Sequence, residues 1–328
     1  MIQKLMSFFL LALVIGFYQP EKTYGGSSPL EKLLEQNDKI KALAKYKDSE
    51  EVIKLKLENL DEINESRRVY GLGPVKLDIL ASRVANLHCV EMLKYNYMGH
   101  WNKKGYKPYH RYAFAGGRDH VSENLYMKMT TSSFDQSSES VLDLMAEGHG
   151  LFMAEIAPND GHKKQVLRRE HTHVGIGYAI NNKGFRYAQE FVDRYVKLKP
   201  VARKVSVGDT IILKGKMLRR VRKKYGPYAL IIYYEPVPRQ FNYKRQPGSY
   251  GDFTNSRYLM VPPWKIKYNR NKNTFKIKIK FKNARKGLYY IQLYIRDNVK
   301  TIPYKPRGRV SMNTQNAISV TGLVIEVK

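Results

Sequence analysis

A few residues of this 328-residue chain have the types and spacing to do chemistry. Segment 155–178 begins with a carboxylate and runs through a Pro/Asn/Asp/Gly loop to His162, and two earlier segments contribute His100 and Glu123. Two imidazoles with two carboxylates can bind a divalent metal or transfer protons. The sequence therefore predicts that these segments meet in one site.

Helices and strands must position these side chains. Apolar residues at helical spacing, ended by Gly and Pro signals, predict helices, and alternating or continuous apolar runs predict strands. The predicted helices are 54–70, 75–97 and 137–155, the predicted strands are 121–127, 174–180 and 185–195, and an irregular loop is predicted over 98–117.

Charge is divided unevenly along the chain and indicates two domains with different roles. Residues 200–328 hold 29 Lys and Arg against 5 Asp and Glu, whereas all eight histidines lie between His88 and His173. After Pro200 the pattern changes to regularly spaced short strands without helices, which predicts an all-β immunoglobulin-like sandwich. The expected divisions are a signal peptide (1–25), a helical spacer or outer helix (26–56), a mixed α+β domain (57–198) and a basic β-sandwich (199–328).

Segment 1–25 is typical of a secretory signal, with Lys4 before a short apolar core and a small-x-small pattern at its end. We therefore expect a secreted or cell-envelope location.

Cys89 is the single cysteine, so an intramolecular disulfide is excluded. It stands in an apolar run, which predicts a buried thiol rather than a nucleophile.

Basic residues in the C-terminal domain are clustered beyond what solubility requires. One cluster is 219–224, and another is strand 274–282, where lysines alternate with apolar residues. The predicted anion-binding residues are Arg219, Arg220, Arg222, Lys223, Lys224, Lys276, Lys278 and Lys280. An anionic cell-envelope polymer or lipid is the expected partner, and the secretion signal disfavours nucleic acid.

Four motifs, in this order, resemble the CAP superfamily of cysteine-rich secretory, antigen and pathogenesis-related proteins, especially its bacterial secreted (SCP-like) members. The resemblance covers about 57–196 and rests on Gly99-His100-Trp101, Ser122-Glu123-Asn124, Asn159-Asp160-Gly161-His162 and His173-Val174-Gly175-Ile176-Gly177. It implies a three-layer α-β-α sandwich with a large cleft lined by two His and two Glu.

By motif, the cleft residues are His100, Glu123, Glu155 and His162, with Glu147 as the alternative for the second glutamate. The resemblance implies that His100 and His162 hold Zn²⁺ or another divalent cation, with a small apolar ligand as a further occupant of the cleft. The His-Glu-x-x-His signature of zinc peptidases is absent from the chain.

Three functions remain open from the sequence. The first is a non-catalytic binding protein whose cleft binds a metal and a ligand while the basic sandwich docks on an anionic surface. The second is a metal-assisted hydrolase with Glu123 or Glu155 as general base. The third is a structural stalk or adhesin module in which neither isolated domain binds a partner. Separately, a purely structural quartet that holds the cleft together is the alternative to a metal site. Other predicted placements are packing roles for His88, His149 and Trp101, and surface, capping or accessory-ligand roles for His171 and His173.

Overall fold

A computed structural model describes residues 28–218, 225–247, 249–253, 256–297, 314 and 316–328. The predicted signal peptide and the basic cluster 219–224 lie outside these residues. Within the described ranges, no helix is long and apolar enough to cross a membrane.

The N-terminal domain is built from helices that cover both faces of a small sheet. Its helices are α1 (Pro29–Lys39), α2 (Glu50–Val69), α3 (Ile79–Lys94), α4 (Pro108–Phe114), α5 (Ser138–Ala154) and α6 (Gly161–Val166), with a 3₁₀ turn at Ala44–Tyr46. Its strands are β1 (Lys76–Leu77), β2 (His120–Met129), β3 (His173–Asn181) and β4 (Gly184–Asp193).

The four strands form one sheet in the order β1-β3-β4-β2. β3 and β4 are an antiparallel hairpin, and the Asn181 side chain accepts hydrogen bonds from the backbone N–H of Lys183 and Gly184 in its turn. β2 pairs antiparallel with β4 along its whole length and is an edge strand. This register sets Glu123 directly opposite Glu190.

Helices lie on both sides of this sheet, which confirms the three-layer α-β-α sandwich. Helix α3 packs on one face, and α2 and α5 share a core with the other face. The close approach of α3 requires glycine on β3, because a Cβ at Gly175 or Gly177 would lie 2.3–2.4 Å from backbone and Cβ atoms of Ala81 or Ala85. The Gly-Ile-Gly motif is thus a packing surface for α3.

Residues 28–48 form an outer layer on this domain, which is the outer-helix alternative rather than a free spacer. The Arg83 guanidinium of α3 reaches the backbone carbonyls of Ile40 and Ala42, each at 2.7 Å. Asp48 forms a buried ion pair with Lys56 at 2.7 Å. These contacts tie the segment to α2 and α3.

Two predicted elements differ from the structure. The helix predicted at 75 begins only at Ile79, because 76–77 pair in parallel with β3. The loop predicted over 98–117 contains α4, which begins with Pro108 at a position where its missing N–H costs nothing. Seven residues are too few for a periodic signal, and α4 is buried on most sides, so its pattern is not amphipathic.

The C-terminal domain is entirely β apart from a 3₁₀ turn at Pro263–Lys265 within the described residues. Its strands are β5 (Val196–Leu198), β6 (Lys204–Val205), β7 (Thr210–Met217), β8 (Tyr225–Glu235), β9 (Tyr258–Val261), β10 (Lys267–Asn269), β11 (Thr274–Lys280), β12 (Gly287–Asp297), β13 (Ile318–Ser319) and β14 (Leu323–Val327).

These strands form two sheets with a common apolar core, which confirms a β-sandwich. One sheet has the order β10-β11-β7-β5, and the other has β6-β14-β12-β8-β9 with β13 beside β12. On β11 the apolar residues are buried and the lysines are exposed, as the alternation predicts. An immunoglobulin-like topology stays a prediction.

Helix α4 joins the two domains. One apolar cluster contains residues of α3, α4 and β2 together with Leu288, Tyr290 and Val324 of the sandwich. The rings of Tyr109 and Tyr290 stack with centroids 3.9 Å apart. The sandwich sheet containing β12 and β14 therefore faces the N-terminal domain, and the sheet containing β7 and β11 lies on the far side of the sandwich core.

Candidate functional site

A cavity of about 670 Å³ lies where the two domains meet. Its walls come from β2, from the α5–α6 connection, and from 249–251, Phe253 and β12 of the sandwich. The four residues predicted for the cleft all line this cavity: His100, Glu123, Glu155 and His162. The structure therefore brings the quartet into one space, which we call the cleft.

His100 follows α3 and is oriented by Glu123. Its Nδ1 lies 2.9 Å from Glu123 Oε1, and its ring packs on Tyr250 with centroids 4.6 Å apart. Burial, reinforced by the charge of Arg111, lowers the pKa of His100 to about 4, so the ring is neutral at pH 7. Since Nδ1–H is donated to a carboxylate, the lone pair of Nε2 is available to a ligand.

His162 is held in the same way by Glu155. Its Nδ1 bonds to Glu155 Oε1, and Glu155 Oε2 accepts the backbone N–H of His162 at 2.8 Å and that of Lys163 at 3.2 Å. The carboxylate thus caps the first turn of α6 while it orients the ring, which stacks on Phe152. Again Nε2 is the ring nitrogen left for a ligand. Glu147 is partly exposed and bonds instead to Tyr126 and Lys128 of β2.

Behind His100 lies a buried cluster of Arg111, Glu123 and Glu190, which we call the arginine cluster. Arg111 Nη2 bonds to Glu123 Oε2 and lies 3.3 Å from Glu190 Oε1, while its Nη1 donates to the His100 carbonyl at 2.6 Å. Like charges opposite each other on paired strands repel. The guanidinium from α4 compensates this repulsion and fixes the His100 backbone.

One cation cannot neutralise two carboxylates, and the pKa values reflect this. Burial raises the pKa of Glu123 to about 7, against the opposing effect of Arg111. Burial and then the charge of Glu123 raise the pKa of Glu190 well above its usual value. Glu190 Oε2 has no hydrogen-bond partner among the described residues. We conclude that Glu190 carries the proton of the pair at neutral pH.

Two further histidines share Asp193, and one of them, His120, also lines the cleft. His171 Nδ1 lies 2.7 Å from Asp193 Oδ1, and His120 Nδ1 lies 2.9 Å from Oδ2. Burial raises the pKa of Asp193, but the contacts with the two histidines outweigh burial and hold this pKa below its usual value. His171 is buried against Phe191 and contacts Gln165, so the expected surface or capping role for it is wrong.

The remaining histidines and the cysteine have structural contacts. His88 is fully buried with Nε2 2.8 Å from the Gly99 carbonyl, and His149 bonds to Ser66. Cys89 is buried, and burial raises the pKa of its thiol far above its usual value. Trp101 is buried, and its backbone N–H and C=O both bond to the Gln246 side chain of the sandwich. These placements match the packing roles predicted from the sequence.

His100 and His162 are the cleft residues that would hold a metal ion through Nε2. Neutral imidazoles oriented through Nδ1 by carboxylates are the usual form of histidine ligands. Within the described ranges, however, no group of three or more His, Cys, Asp and Glu is placed to hold an ion. The residues present therefore fit a divalent ion bound by His100 and His162 with water or ligand atoms completing its shell, and they do not fit a three-ligand catalytic zinc centre.

Sequence reasoning missed the residues that support the quartet. Arg111 stood in a predicted loop, and only the Pro108 start signal could have indicated its helix. Glu190 was visible as a strand residue, but its pairing with Glu123 depends on the register of β2 and β4. Tyr250, whose hydroxyl accepts the backbone N–H of Glu123 at 2.8 Å, comes from the other domain and carried no signal.

The predicted anion-binding residues fall into two groups. Lys276, Lys278 and Lys280 are exposed on one face of β11. The other five, at 219, 220 and 222–224, lie outside the described residues.

The three-layer α-β-α fold and the cleft with two His and two Glu are those that the resemblance to the CAP superfamily implies. Residues 60–192 match the model of the cysteine-rich secretory protein (CAP) family. This part of the chain is a CAP domain, even though the chain has a single cysteine. A search of curated proteins finds no match.

Solved structures with similarity to the chain include three bacterial proteins. An extracellular protein containing an SCP domain from Bacillus anthracis is 22% identical, with a TM-score of 0.32, and the match covers 42% of this chain and 40% of that one. An outer surface protein from Borrelia burgdorferi is 14% identical (TM-score 0.34; 43% and 93% covered). A cysteine-rich secretory protein from Staphylococcus aureus is 12% identical (TM-score 0.29; 43% and 38% covered).

Proposed function

We propose that this is an extracytoplasmic binding protein: the CAP cleft binds a divalent cation together with a small ligand, and the basic sandwich docks on an anionic envelope polymer or lipid. The signal pattern in 1–25 and the secretory family that matches 60–192 support the location. The observation that carries the cleft half is that His100 and His162 each use Nδ1 on a glutamate and keep Nε2 for a ligand.

The lining of the cleft favours a ligand with polar groups. Ser122, Asn124, Gln165 and Gln292 line it together with several tyrosines. These side chains already bond within the protein, Gln165 to Ser122, Asn124 to the His162 carbonyl and Gln292 to Tyr290. Amide and hydroxyl groups can take part in more than one hydrogen bond, and only a ligand with polar groups can use that remaining capacity. We therefore propose that the occupant pairs with them and supplies atoms to the cation.

The hydrolase alternative lacks a free general base. Both oxygens of Glu123 are engaged, one by His100 and one by Arg111. Both oxygens of Glu155 are engaged by His162 and the first turn of α6. A general base must reach the attacking water, and these carboxylates instead orient the histidines. This is why we favour binding over hydrolysis.

The test is the thermal midpoint of the mature chain with and without Zn²⁺, beside His100→Ala and His162→Ala. An ion present at 100 times its dissociation constant stabilises the folded state by about 2.7 kcal/mol, a shift of several degrees. We expect the shift in the parent, its loss in both variants, and its retention in His173→Ala, whose histidine lies outside the cleft.

Two outcomes would contradict this proposal. A parent without a shift would show that the quartet holds no cation, and a shift that persists in both variants would place the ion elsewhere. Hydrolysis of ester or peptide substrates by the parent, lost in His100→Ala, would establish the hydrolase instead.

A further inference from the structure

The outer sheet of the sandwich presents a face of lysines. Outward positions on β5, β7, β10 and β11 are occupied by Lys197, Lys214, Lys216, Lys267, Lys276, Lys278 and Lys280, which we call the lysine face. All seven are exposed, and these four strands contain no Asp or Glu. Since this sheet lies on the far side of the sandwich core from the CAP domain, the face is open while the cleft is occupied.

The register of the strands places three of these lysines side by side. Lys276 pairs with Lys214 on one neighbouring strand and with Lys267 on the other. Adjacent strands lie about 4.8 Å apart, and alternate residues along a strand are about 6.8 Å apart. Like charges directly opposite each other destabilise a sheet. No lysine of this face forms an ion pair with any residue that the structure describes.

A recess of about 700 Å³ adjoins this row, and an indole stands in it. Trp264 lines the recess together with Lys199, Lys214, Lys267 and Lys276. Trp264 is half-buried, and none of the ring contacts or hydrogen bonds found among the described residues involves it. Asn269 and Thr274 add polar side chains to the lining. Tyr268 and Phe275 also line the recess. It thus combines aromatic surface, an indole N–H, polar groups and several cations.

We infer that the lysine face and the Trp264 recess bind an anionic polysaccharide. A sugar ring has an apolar C–H face that packs on an aromatic ring and hydroxyl edges that pair with polar side chains. Carboxylate, sulfate or phosphate groups along the polymer pair with the lysine grid, whose charge has no counterpart within the sheet. This inference rests on the docking half of the proposed function and names its partner.

Two other anionic partners fit the face less well. Binding to a bilayer uses apolar side chains that protrude into the headgroup region, whereas Trp264 is recessed. Single-stranded nucleic acid stacks successive bases on several aromatic rings. The recess is also lined by Tyr268 and Phe275, but Phe275 is part of the sandwich core and Tyr268 packs against it, so the face does not present a row of exposed rings.

The experiment measures the affinity of the full mature protein for polygalacturonate, an acidic polysaccharide. Dextran, oligo-dT and phosphatidylglycerol vesicles are the comparison probes. Lys214→Gln/Lys267→Gln/Lys276→Gln removes the row, and Lys32→Gln/Lys41→Gln/Lys45→Gln removes the same charge from exposed positions of the other domain. Trp264→Ala removes the ring, and Trp264→Phe keeps one. Thermal midpoints confirm that each variant is folded.

We expect the parent to bind polygalacturonate but not dextran, with weaker binding as salt is raised. The row variant should lose about a hundredfold in affinity and Trp264→Ala about tenfold, while Trp264→Phe and the control triple stay within about twofold. Tighter binding of oligo-dT or vesicles, or an unchanged Trp264→Ala, would overturn the polysaccharide assignment.

Failure of this inference is distinguishable from failure of the proposed function. If the parent binds an anionic probe and the row variant binds it equally well, the docking half stands and the lysine face is not the contact. If the parent binds none of the anionic probes, the docking half fails as well. The Zn²⁺ shift in the cleft is measured independently and should be the same in all of these variants.

Discussion

Like charges face each other across paired strands in two regions of this molecule, and the two regions treat them in opposite ways. In the CAP sheet, Glu123 opposes Glu190 in the interior, and Arg111 bonds to both. In the outer sandwich sheet, Lys276 opposes Lys214 and Lys267 at the surface, without an acidic partner among the described residues. The first repulsion is removed within the chain, by a proton on Glu190 and by the pairing of Glu123 with Arg111, and the second is not.

The difference distinguishes charged residues that support the fold from charged residues that are available to a binding partner. A buried like-charge pair must be neutralised by the chain itself, because water cannot reach it and the folded state would otherwise be lost. An exposed pair is tolerated because solvent and salt screen it. We therefore interpret the arginine cluster as the support of the cleft and the lysine face as a surface whose counter-charge comes from a partner.

The largest effect is expected from Arg111→Met. It would leave the Glu123 carboxylate in the interior beside the protonated Glu190 and without its cation, and breaking a buried pair in this way costs about 3–5 kcal/mol. Urea denaturation at pH 7 measures the loss. Adding Glu123→Gln to Arg111→Met should recover part of it, because the unpaired buried charge is then removed.

The control for Arg111→Met is Arg68→Met, which removes an exposed arginine that pairs with Glu65. We expect its urea midpoint to match the parent. If Arg111→Met lowered stability by less than about 1 kcal/mol, the cluster would not be compensated in the way that we describe.

The sequence predicted elements well where burial is periodic. On β11 each apolar residue is buried and each lysine is exposed, so alternation alone identified the strand. Helix α4 escaped detection because it is short and is buried between the CAP sheet and the sandwich. Pairing partners are a property of the register, which local pattern does not contain, so neither the Glu123–Glu190 pair nor the lysine row could be predicted.

A second prediction concerns pH and Glu190→Gln. The raised pKa of Glu190 means that the folded state holds a proton that the unfolded state releases above about pH 4.5. The parent therefore loses stability from this group as the pH rises, by up to about 1.4 kcal/mol per unit. Glu190→Gln removes the effect, so its stability relative to the parent should increase between pH 5 and pH 8.

Glu147→Gln is the control for this pH series. A hydrogen bond from Lys128 lowers the pKa of Glu147, and no histidine contacts this carboxylate among the described residues, so its contribution is constant above about pH 5. The difference between Glu147→Gln and the parent should therefore not change between pH 5 and pH 8. A Glu190→Gln difference that is equally flat would show that Glu190 is ionised in the folded state.

The candidate site was predictable to the extent that its residues lie in short motifs. His100, Glu123 and His162 stand in motifs of the CAP family, and Glu155 stands at the end of the helix before the Gly-His. Their supports lie far away in the chain: Tyr250 is 127 residues from Glu123 and belongs to the other domain. A wall of the cleft made by a second domain follows from packing between domains, which the sequence pattern of either domain does not encode.

A third and smaller effect tests this contact between domains. In Tyr250→Phe the backbone N–H of Glu123, on an edge strand, loses its acceptor while the ring against His100 remains. We expect a loss of about 1 kcal/mol in stability and faster hydrogen exchange at the Glu123 amide. Tyr228→Phe should change neither, since its hydroxyl bonds to no described residue. Unchanged exchange at Glu123 in Tyr250→Phe would contradict the contact.

The smallest effect, and the one with the opposite sign, is expected at the lysine face. Lys276→Gln removes the central charge of the row, so it should raise stability by about 0.2–1 kcal/mol at low salt. In about 1 M NaCl the gain should disappear, because the screening length falls to about 3 Å. Thermal midpoints at both salt concentrations measure it, with Lys45→Gln as the exposed control. If Lys276→Gln stabilises the free protein and also weakens polyanion binding, the repulsion in the row is retained for a partner. If Lys276→Gln gives no gain in stability at low salt, the row is already screened and its charge implies no partner.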